Sequence, residues 1–187
     1  MRVFDFDNTI YDGESVIDFY LFSIKKKPSV LKYAYAVLYH FIKYKLRLTD
    51  MNDMYKVSEK YAAAYVSEFD NIDDLVKEFW DGHVHKIKSW YKSEEDDVIL
   101  TASLNLIMVP LCERIGIKHC ICSEFDLETM TVTHINFSHN KKEIFRKKFG
   151  EDIMIDEFYT DHTADKPMFE ISKNVFWVKG NKIKKVK

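Results

Sequence analysis

The residues of this chain best suited to chemistry are two acids close to its start, Asp5 and Asp7. They follow the apolar residues Val3 and Phe4, and acids one residue apart at the end of a strand point to the same side of it. Burying such charges without a partner is costly, so a cation or a proton is expected nearby. The structural alternative is that both acids cap a turn or a helix, and the pattern by itself does not decide between the two.

Further polar residues follow the later apolar segments of the chain. Thr101-Ala102-Ser103 follows the apolar run 98–100, the pair Lys141 and Lys142 opens a helical segment, and Asp161 and Asp165 follow the strand-like run 157–160. Carboxylates hold a hard divalent cation, and hydroxyl and ammonium groups bind phosphoryl oxygens. Since parallel α/β sheets place their chemistry at strand ends, this inventory predicts a site for a phosphate group and a magnesium ion.

Strand-like and helical segments alternate along the chain, which predicts an α/β fold with a parallel sheet. Strands are predicted at 2–6, 98–101, 119–122, 130–133, 157–160 and 175–178, and helices at 106–115, 141–149 and 167–173. The roughly 80 residues between the first two strands have helical periodicity and are too long for an ordinary crossover. We interpret them as an inserted all-helical cap, with helices near 16–24, 30–48, 54–61 and 75–80. The predicted division is a catalytic core of 1–13 and 95–187 and a cap of 14–94.

The composition is that of a soluble globular protein. The chain has 187 residues, of which 47% are hydrophobic, and a net charge of −2, so no basic excess points to nucleic acid. Three clustered cysteines, Cys112, Cys120 and Cys122, are too few for a disulfide framework and are expected to pack in the core. Acids interrupt the N-terminus, and no apolar run reaches the ~20 residues that a bilayer span needs, so we expect a cytoplasmic protein.

The order of the polar motifs resembles that of the haloacid dehalogenase (HAD) superfamily, specifically its branch similar to phosphoserine phosphatase. The matching stretches are Asp5-Phe6-Asp7-Asn8-Thr9, Thr101 within VILTAS, a lysine at 141 or 142, and Thr160-Asp161-His162-Thr163-Ala164-Asp165. The helical insertion lies where this branch carries a small helical cap, so the resemblance covers essentially the whole chain. It implies a Rossmann-like parallel sheet with helices on both faces, and phosphomonoester chemistry.

The resemblance also implies roles for the acids. Asp5 is the expected nucleophile, which forms an aspartyl-phosphate, and Asp7 is the expected general acid and base. Magnesium is expected to be held by Asp5, the backbone carbonyl of Asp7 and Asp161, with Asp165 adjacent or bound through water. The cation would offset the repulsion between a carboxylate nucleophile and a phosphate dianion.

The phosphate-binding residues that the resemblance implies are Thr101 and a lysine. Lys141 matches the family's apolar spacing better, because Phe145 and Phe149 follow it by four and eight residues. Lys142 stays as the alternative, and the lysine that is not used is expected on a solvated helix face.

Two features bear on the substrate. Glu14 matches an acid that reads the substrate amine in phosphoserine phosphatases, and capping of the helix that follows it is an equal alternative. The segment 23–47 combines seven lysine and arginine residues with aromatic ones and has no acid. It resembles the caps of relatives that dephosphorylate phosphatidylglycerophosphate, and its composition suits peripheral contact with an anionic membrane. A helix packed within the cap, with its lysines in water, is the alternative.

We therefore predict a magnesium-dependent phosphomonoester hydrolase that acts on a small phosphorylated metabolite. A phosphatidylglycerophosphate-like lipid substrate at a membrane surface is one alternative, and transfer of the phosphoryl group to an alcohol acceptor is another. A non-catalytic binding module is the third, although such a module has no need of the full set of acids.

Overall fold

A seven-stranded sheet forms the centre of the protein. The computed structural model describes residues 1–35, 39, 43, 48 and 60–187. The strands are β1 (Arg2–Phe4), β2 (Val98–Leu104), β3 (His119–Asp126), β4 (Thr131–His134), β5 (Ile155–Thr160), β6 (Ser172–Lys179) and β7 (Lys182–Lys185). Their spatial order is β4-β3-β2-β1-β5-β6-β7, and the five inner strands are parallel while β4 and β7 are antiparallel to their neighbours. The predicted α/β fold is confirmed.

Five α-helices have defined bounds in the described residues. They are α1 (Ser15–Lys26), α2 (Ile72–His83), α3 (Asn105–Arg114), α4 (His139–Phe149) and α5 (Lys166–Phe169). Residues 31–35 and 60–66 are also helical. The helices predicted at 30–48 and 54–61 lie mostly outside the described residues. None of the helices within the described ranges is long and apolar enough to cross a membrane.

Helices cover both faces of the sheet. Successive strand residues point to opposite sides, so the apolar strands present side chains for packing on each face. Phe4 and Ile99 pack with α2 and α3 in one apolar cluster. Val3 and Leu100 pack in a second cluster with Phe145 of α4 and with residues around α5. Parallel strands buried on both faces are largely apolar, which is why the runs at 98–100 and 3–4 lack a polar alternation.

The cysteines pack as predicted. Cys112 and Cys122 are buried, Cys120 is half-buried, and all three are free thiols. Cys112 and Cys122 belong to the apolar cluster that contains α3, and Cys120 packs against it.

Two predicted elements end earlier than expected, and one strand was not predicted. The first strand ends at Phe4 rather than at Phe6, because the Phe6 carbonyl accepts hydrogen bonds from the N–H groups of Thr9, Ile10 and Tyr11 and the chain turns. The helix predicted at 167–173 ends at Phe169, since β6 begins at Ser172. Strand β7 was not predicted, because its sequence, Lys-Ile-Lys-Lys, is fully exposed at the sheet edge, where lysines block further pairing.

The strand order places the polar motifs together. Strand β1 lies between β2 and β5, so the chain crosses to opposite sides of β1 in forming these two neighbours. The carboxyl ends of all three strands therefore meet at a switch in strand order, which is where open α/β sheets bind their ligands.

Candidate active site

A cleft of about 250 Å³ lies at the carboxyl ends of β1, β2 and β5. Seven of the eight predicted site residues line it: Asp5, Asp7, Glu14, Thr101, Lys141, Asp161 and Asp165. The other lining residues are Asn8, Ala102, Phe137, His162 and Ala164. The fold therefore assembles side chains that are up to 160 positions apart in the sequence, from Asp5 to Asp165.

A buried lysine joins two of the acids. Lys141, on the first turn of α4, is 3% exposed, and its Nζ lies 2.9 Å from Asp5 Oδ1 and 2.8 Å from Asp165 Oδ1. The other Asp165 oxygen accepts a hydrogen bond of 2.7 Å from the Thr160 hydroxyl. Asp5 itself lines the cleft, and its contact with Lys141 is made through Oδ1.

Burial and charge shift the protonation of this pair in linked ways. Desolvation raises the pKa of Asp5 to about 7, and Lys141 opposes that rise. Desolvation alone would lower the pKa of Lys141, but Asp5 and Asp165 outweigh it and the pKa is raised. Lys141 is therefore held as a cation, and it partly compensates the buried negative charge of the acids. Because that negative charge remains costly, the site favours binding of a further cation, alone or together with an anionic ligand.

Lys142 lies elsewhere. Its Nζ lies 2.5 Å from Glu170, whose side chain is largely exposed, and it does not line the cleft. Neighbouring helix positions are about 100° apart, so the two lysines cannot both face the sheet. Of the two lysines that the sequence left open, Lys141 is therefore the one that lies in the cleft, and Lys142 lies outside it.

Asp7 is held by two hydrogen bonds. Its Oδ1 accepts 2.6 Å from the backbone N–H of Ser15, at the start of α1, and its Oδ2 accepts 2.8 Å from the Ser103 hydroxyl at the end of β2. A carboxylate at a helix N-terminus is stabilised by the unpaired N–H groups there. The side chain that sequence reasoning assigns to proton transfer is therefore fixed from both sides of the cleft.

The hydroxyl of Thr101 also has a defined orientation. Its Oγ accepts 3.1 Å from the backbone N–H of Ser103. Strand β2 is irregular at this point: Leu100 pairs with Ile121 and Leu104 with Ser123, so four steps in β2 face two in β3. Such irregularities re-aim side chains next to active sites. Because Oγ accepts from the protein, its hydrogen is left to donate into the cleft.

A tight turn follows β1 and shapes the mouth of the cleft. Asn8 has a φ of +56°, in the left-handed region that Asn tolerates better than most residues, and its N–H donates to Gly13. The buried Lys88 donates to the Asn8 carbonyl, and burial lowers the pKa of Lys88. Asn8 in turn donates 2.5 Å to Glu14. Glu14 therefore faces the cleft, and burial followed by repulsion from Asp7 raises its pKa.

The acids of the cleft suit magnesium as a donor set. Asp161 lines the same cleft as Asp5, and burial raises the pKa of Asp161. Within the described ranges, no three His, Cys, Asp or Glu side chains form a metal-binding group. Magnesium does not require such a group, since it usually takes one or two carboxylates and keeps several waters. Two carboxylates and a backbone carbonyl fit this pattern.

Asp165 is less available as a ligand than the sequence indicates. Both of its oxygens already accept hydrogen bonds, from Lys141 and from Thr160. A carboxylate whose two oxygens both accept hydrogen bonds is poorly placed to bind a metal ion directly, and it orients its donors instead. The geometry favours an indirect contribution by Asp165, through the position of Lys141.

Phe137 is the residue at the cleft that was not singled out from the sequence, whereas His162 belongs to the motif 160–165. Phe137, 36% exposed, lies just before Ser138, whose φ of +53° is unusual for serine and precedes α4. His162 caps the turn Thr163–Asp165, because its Nδ1 accepts 3.1 Å from Ala164 N–H. No pattern in the sequence signals Phe137, whereas the position of His162 next to Asp161 did mark it as a neighbour of the site.

The comparisons with known proteins define the class of this protein. The model of the haloacid dehalogenase-like hydrolase family matches residues 3–170. The chain therefore belongs to this family of hydrolases. A search among curated proteins finds no match.

Solved structures share the fold at low identity. A protein of unknown function from Bordetella pertussis Tohama I is 14% identical with a TM-score of 0.67, over 91% of this chain and 85% of that one. A HAD family hydrolase from Salmonella enterica serovar Typhi is 14% identical with a TM-score of 0.58, over 91% and 59%. A probable phosphoserine phosphatase from Vibrio cholerae is 9% identical with a TM-score of 0.58, over 93% and 55%. The chain thus spans little more than half the length of the last two.

Proposed function

We propose that this hydrolase cleaves phosphomonoesters with the help of magnesium, through a phosphoryl group held covalently on Asp5. The observation that supports this most strongly is the contact of Asp5 with Lys141 inside a cleft that also holds Asp7, Thr101 and Asp161. A buried carboxylate that lines the cleft and has one oxygen fixed by a lysine is suited to nucleophilic attack. Lys141 and Thr101 supply donors for the oxygens of the transferred group.

The proposed reaction has two steps. In the first, Asp5 Oδ2 bonds to phosphorus, the bond from phosphorus to the ester oxygen breaks, and the leaving oxygen takes a proton from Asp7. In the second, Asp7 takes a proton from water while that water attacks phosphorus, and the bond to Asp5 breaks. Inorganic phosphate and the alcohol are released, and both acids return to their starting states.

The residues proposed to hold magnesium are Asp5, Asp161 and the backbone carbonyl of Asp7. When bound there, the ion neutralises charge on the phosphoryl group and lets an anionic nucleophile approach it. Asp165 is proposed to act indirectly, by holding Lys141 in position.

We expect Asp161→Asn to weaken magnesium binding, because an amide carries no charge to oppose that of the ion. The magnesium concentration for half-maximal activity should rise by roughly tenfold or more. Removal of a residue that only supports a metal ligand already lowers metal affinity by about that factor. Calorimetric titration with magnesium alone should show the same loss. Asp152→Asn, at an exposed position outside the cleft, is the matched control. Equal magnesium affinity in Asp161→Asn and the wild type would remove Asp161 from the site.

The helical block between β1 and β2 is proposed to be a cap, residues 14–94, over a core of 1–13 and 95–187. Glu14 at its start faces the cleft, so it is placed to contact the leaving group. A carboxylate there favours a substrate that carries a positive charge or hydroxyl groups near the phosphate. A small phosphorylated metabolite is therefore the first candidate, and cytoplasmic location accords with it.

A lipid phosphate is the second candidate, since α1, which begins one residue after the cleft residue Glu14, exposes apolar side chains. Val16, Ile17 and Leu21 of α1 are 46%, 56% and 53% exposed, and they follow Glu14 directly. Lys25 and Lys26 in the last turn of the same helix add positive charge. Exposed apolar residues with a cationic flank suit an anionic bilayer surface. Most of the predicted basic-aromatic segment 23–47 beyond residue 35 lies outside the described residues.

A single substrate panel tests the function. Purified protein is assayed for phosphate release from phosphoserine, phosphorylated sugars and phosphatidic acid vesicles, with magnesium or with EDTA. We expect hydrolysis of at least one soluble ester, loss of activity in EDTA and recovery with added magnesium. Faster hydrolysis of the vesicles favours the lipid candidate, and phosphorylated glycerol in assays with added glycerol indicates transfer to alcohols. No phosphate release across the panel contradicts the proposal and favours a binding module.

A further inference from the structure

Ser103 contacts both parts of the proposed chemistry. Its side chain is 4% exposed, and its Oγ donates 2.8 Å to Asp7 Oδ2. Its backbone N–H donates 3.1 Å to the Thr101 hydroxyl. One residue at the end of β2 therefore orients the proposed acid–base group through its side chain and the proposed phosphate donor through its backbone.

The side-chain contact has a chemical purpose that core packing does not explain. A carboxyl oxygen has two lone-pair sites, so Asp7 Oδ2 can accept from the Ser103 hydroxyl at one of them and exchange the catalytic proton at the other. The Ser15 hydroxyl lies 3.3 Å from the Ser103 hydroxyl and provides an alternative partner when the Ser103 hydrogen turns away. Ser15 N–H, by contrast, can only donate, and it holds Asp7 Oδ1.

We propose that Ser103 is a positioning residue for Asp7, which keeps that carboxyl aligned for proton donation to the leaving oxygen. The proposal rests on the proposed phosphomonoester hydrolysis. It assigns Ser103 no contact with the substrate. Since proton donation matters most when the leaving alcohol is a poor leaving group, loss of Ser103 should be felt in that step above all.

The test compares two esters that share the phosphoryl group and differ in the leaving group. Phenyl phosphate needs a proton donor more than p-nitrophenyl phosphate does, because nitrophenolate leaves readily as an anion. We expect Ser103→Ala to reduce kcat/KM for phenyl phosphate by roughly tenfold more than kcat/KM for p-nitrophenyl phosphate, because kcat/KM includes the step in which the alcohol leaves. KM should change little for either, since the backbone N–H that orients Thr101 is retained. Ser103→Thr, which restores a hydroxyl, should recover the wild-type ratio between the two esters even if its absolute rate is lower.

Two controls separate positioning from a general loss of stability. Ser23→Ala removes another fully buried serine hydroxyl, which donates 2.7 Å to Tyr20 O in α1 away from the cleft, and it should leave the ratio unchanged. In an Asp7→Asn background, Ser103→Ala should cause no further change in the ratio, because residues that act as a unit are not additive. The melting temperature of each variant establishes that it is folded.

The outcomes distinguish the two proposals. Equal losses on both esters in folded Ser103→Ala, an unchanged ratio, or an additive effect on Asp7→Asn would overturn the role of Ser103 while leaving the hydrolase intact. A wild-type protein that hydrolyses neither ester, nor any member of the panel above, overturns the proposed function and the role of Ser103 with it.

Discussion

Replacing Asp5 by Asn is expected to abolish phosphate release, with a loss of roughly 10⁴-fold or more in kcat. An amide oxygen is a poor nucleophile for phosphorus, and the variant has no carboxylate on which to hold the phosphoryl group. Rapid acid quench with ³²P-labelled substrate should trap label on the wild-type chain and none on Asp5→Asn. Labelling of Asp5→Asn, or turnover near the wild-type rate, would show that another residue is the nucleophile.

The same substitution should not destabilise the fold when magnesium is absent. Burial raises the pKa of Asp5 to about 7, so the ionised carboxylate is disfavoured in the native state relative to the unfolded one near neutral pH. Asn removes that penalty, and Lys141 keeps Asp165 as a partner. We expect a melting temperature at or above that of the wild type at pH 7. Asp12→Asn, an exposed acid of the same segment that does not line the cleft, is the matched control and should retain activity.

Replacing Lys141 by Met is expected to reduce both activity and stability. The variant leaves Asp5 and Asp165 buried without the cation that lies between them. Breaking a buried ion pair by removing one partner typically costs about 3–5 kcal/mol, measured as the free energy of unfolding. Loss of the donor to the phosphoryl group should reduce kcat by roughly 10²-fold or more. Denaturant unfolding and steady-state kinetics on the best ester of the panel measure the two effects.

Lys142→Met provides the matched control for Lys141→Met. It makes the same change one residue further along α4, at a lysine paired with the exposed Glu170. Surface ion pairs contribute little, so activity and melting temperature should stay close to those of the wild type. Comparable losses in the two variants would contradict the assignment of Lys141 to the cleft.

The periodicity of the chain predicted most of the sheet, because buried parallel strands are short apolar runs that stand out between helical segments. The run 98–100 and the run 157–160 each mark a strand correctly. Strand β7 lacked such a run, since an exposed edge strand needs no apolar face. The turn after Phe6 was not predicted. It is held by three backbone N–H groups that donate to the Phe6 carbonyl, and such bonds depend on the path of the backbone and not on residue type.

The sequence predicted the acids that line the cleft, but not the hydrogen bonds that hold them. Asp5, Asp7 and Asp161 carry their chemistry in their residue type and in their positions after apolar runs, which are properties of the sequence. Ser103 also follows such a run, but its contact with Asp7 joins two residues that are 96 positions apart. Nothing local to either residue encodes that distance.

The sequence alone determined the class of fold, the family and most of the polar side chains that line the cleft, because these follow from periodicity and from ordered short motifs. Only the tertiary structure decided which lysine enters the cleft and which hydrogen bonds hold each acid. Lys141 and Lys142 have the same side chain and adjacent positions, and they differ only in the direction that α4 gives them once it packs on the sheet. Likewise, Asp165 became a partner of Lys141 because the turn after β5 brings both of its oxygens to donors. Residue types establish what chemistry is available, and packing establishes which copies of a residue reach it.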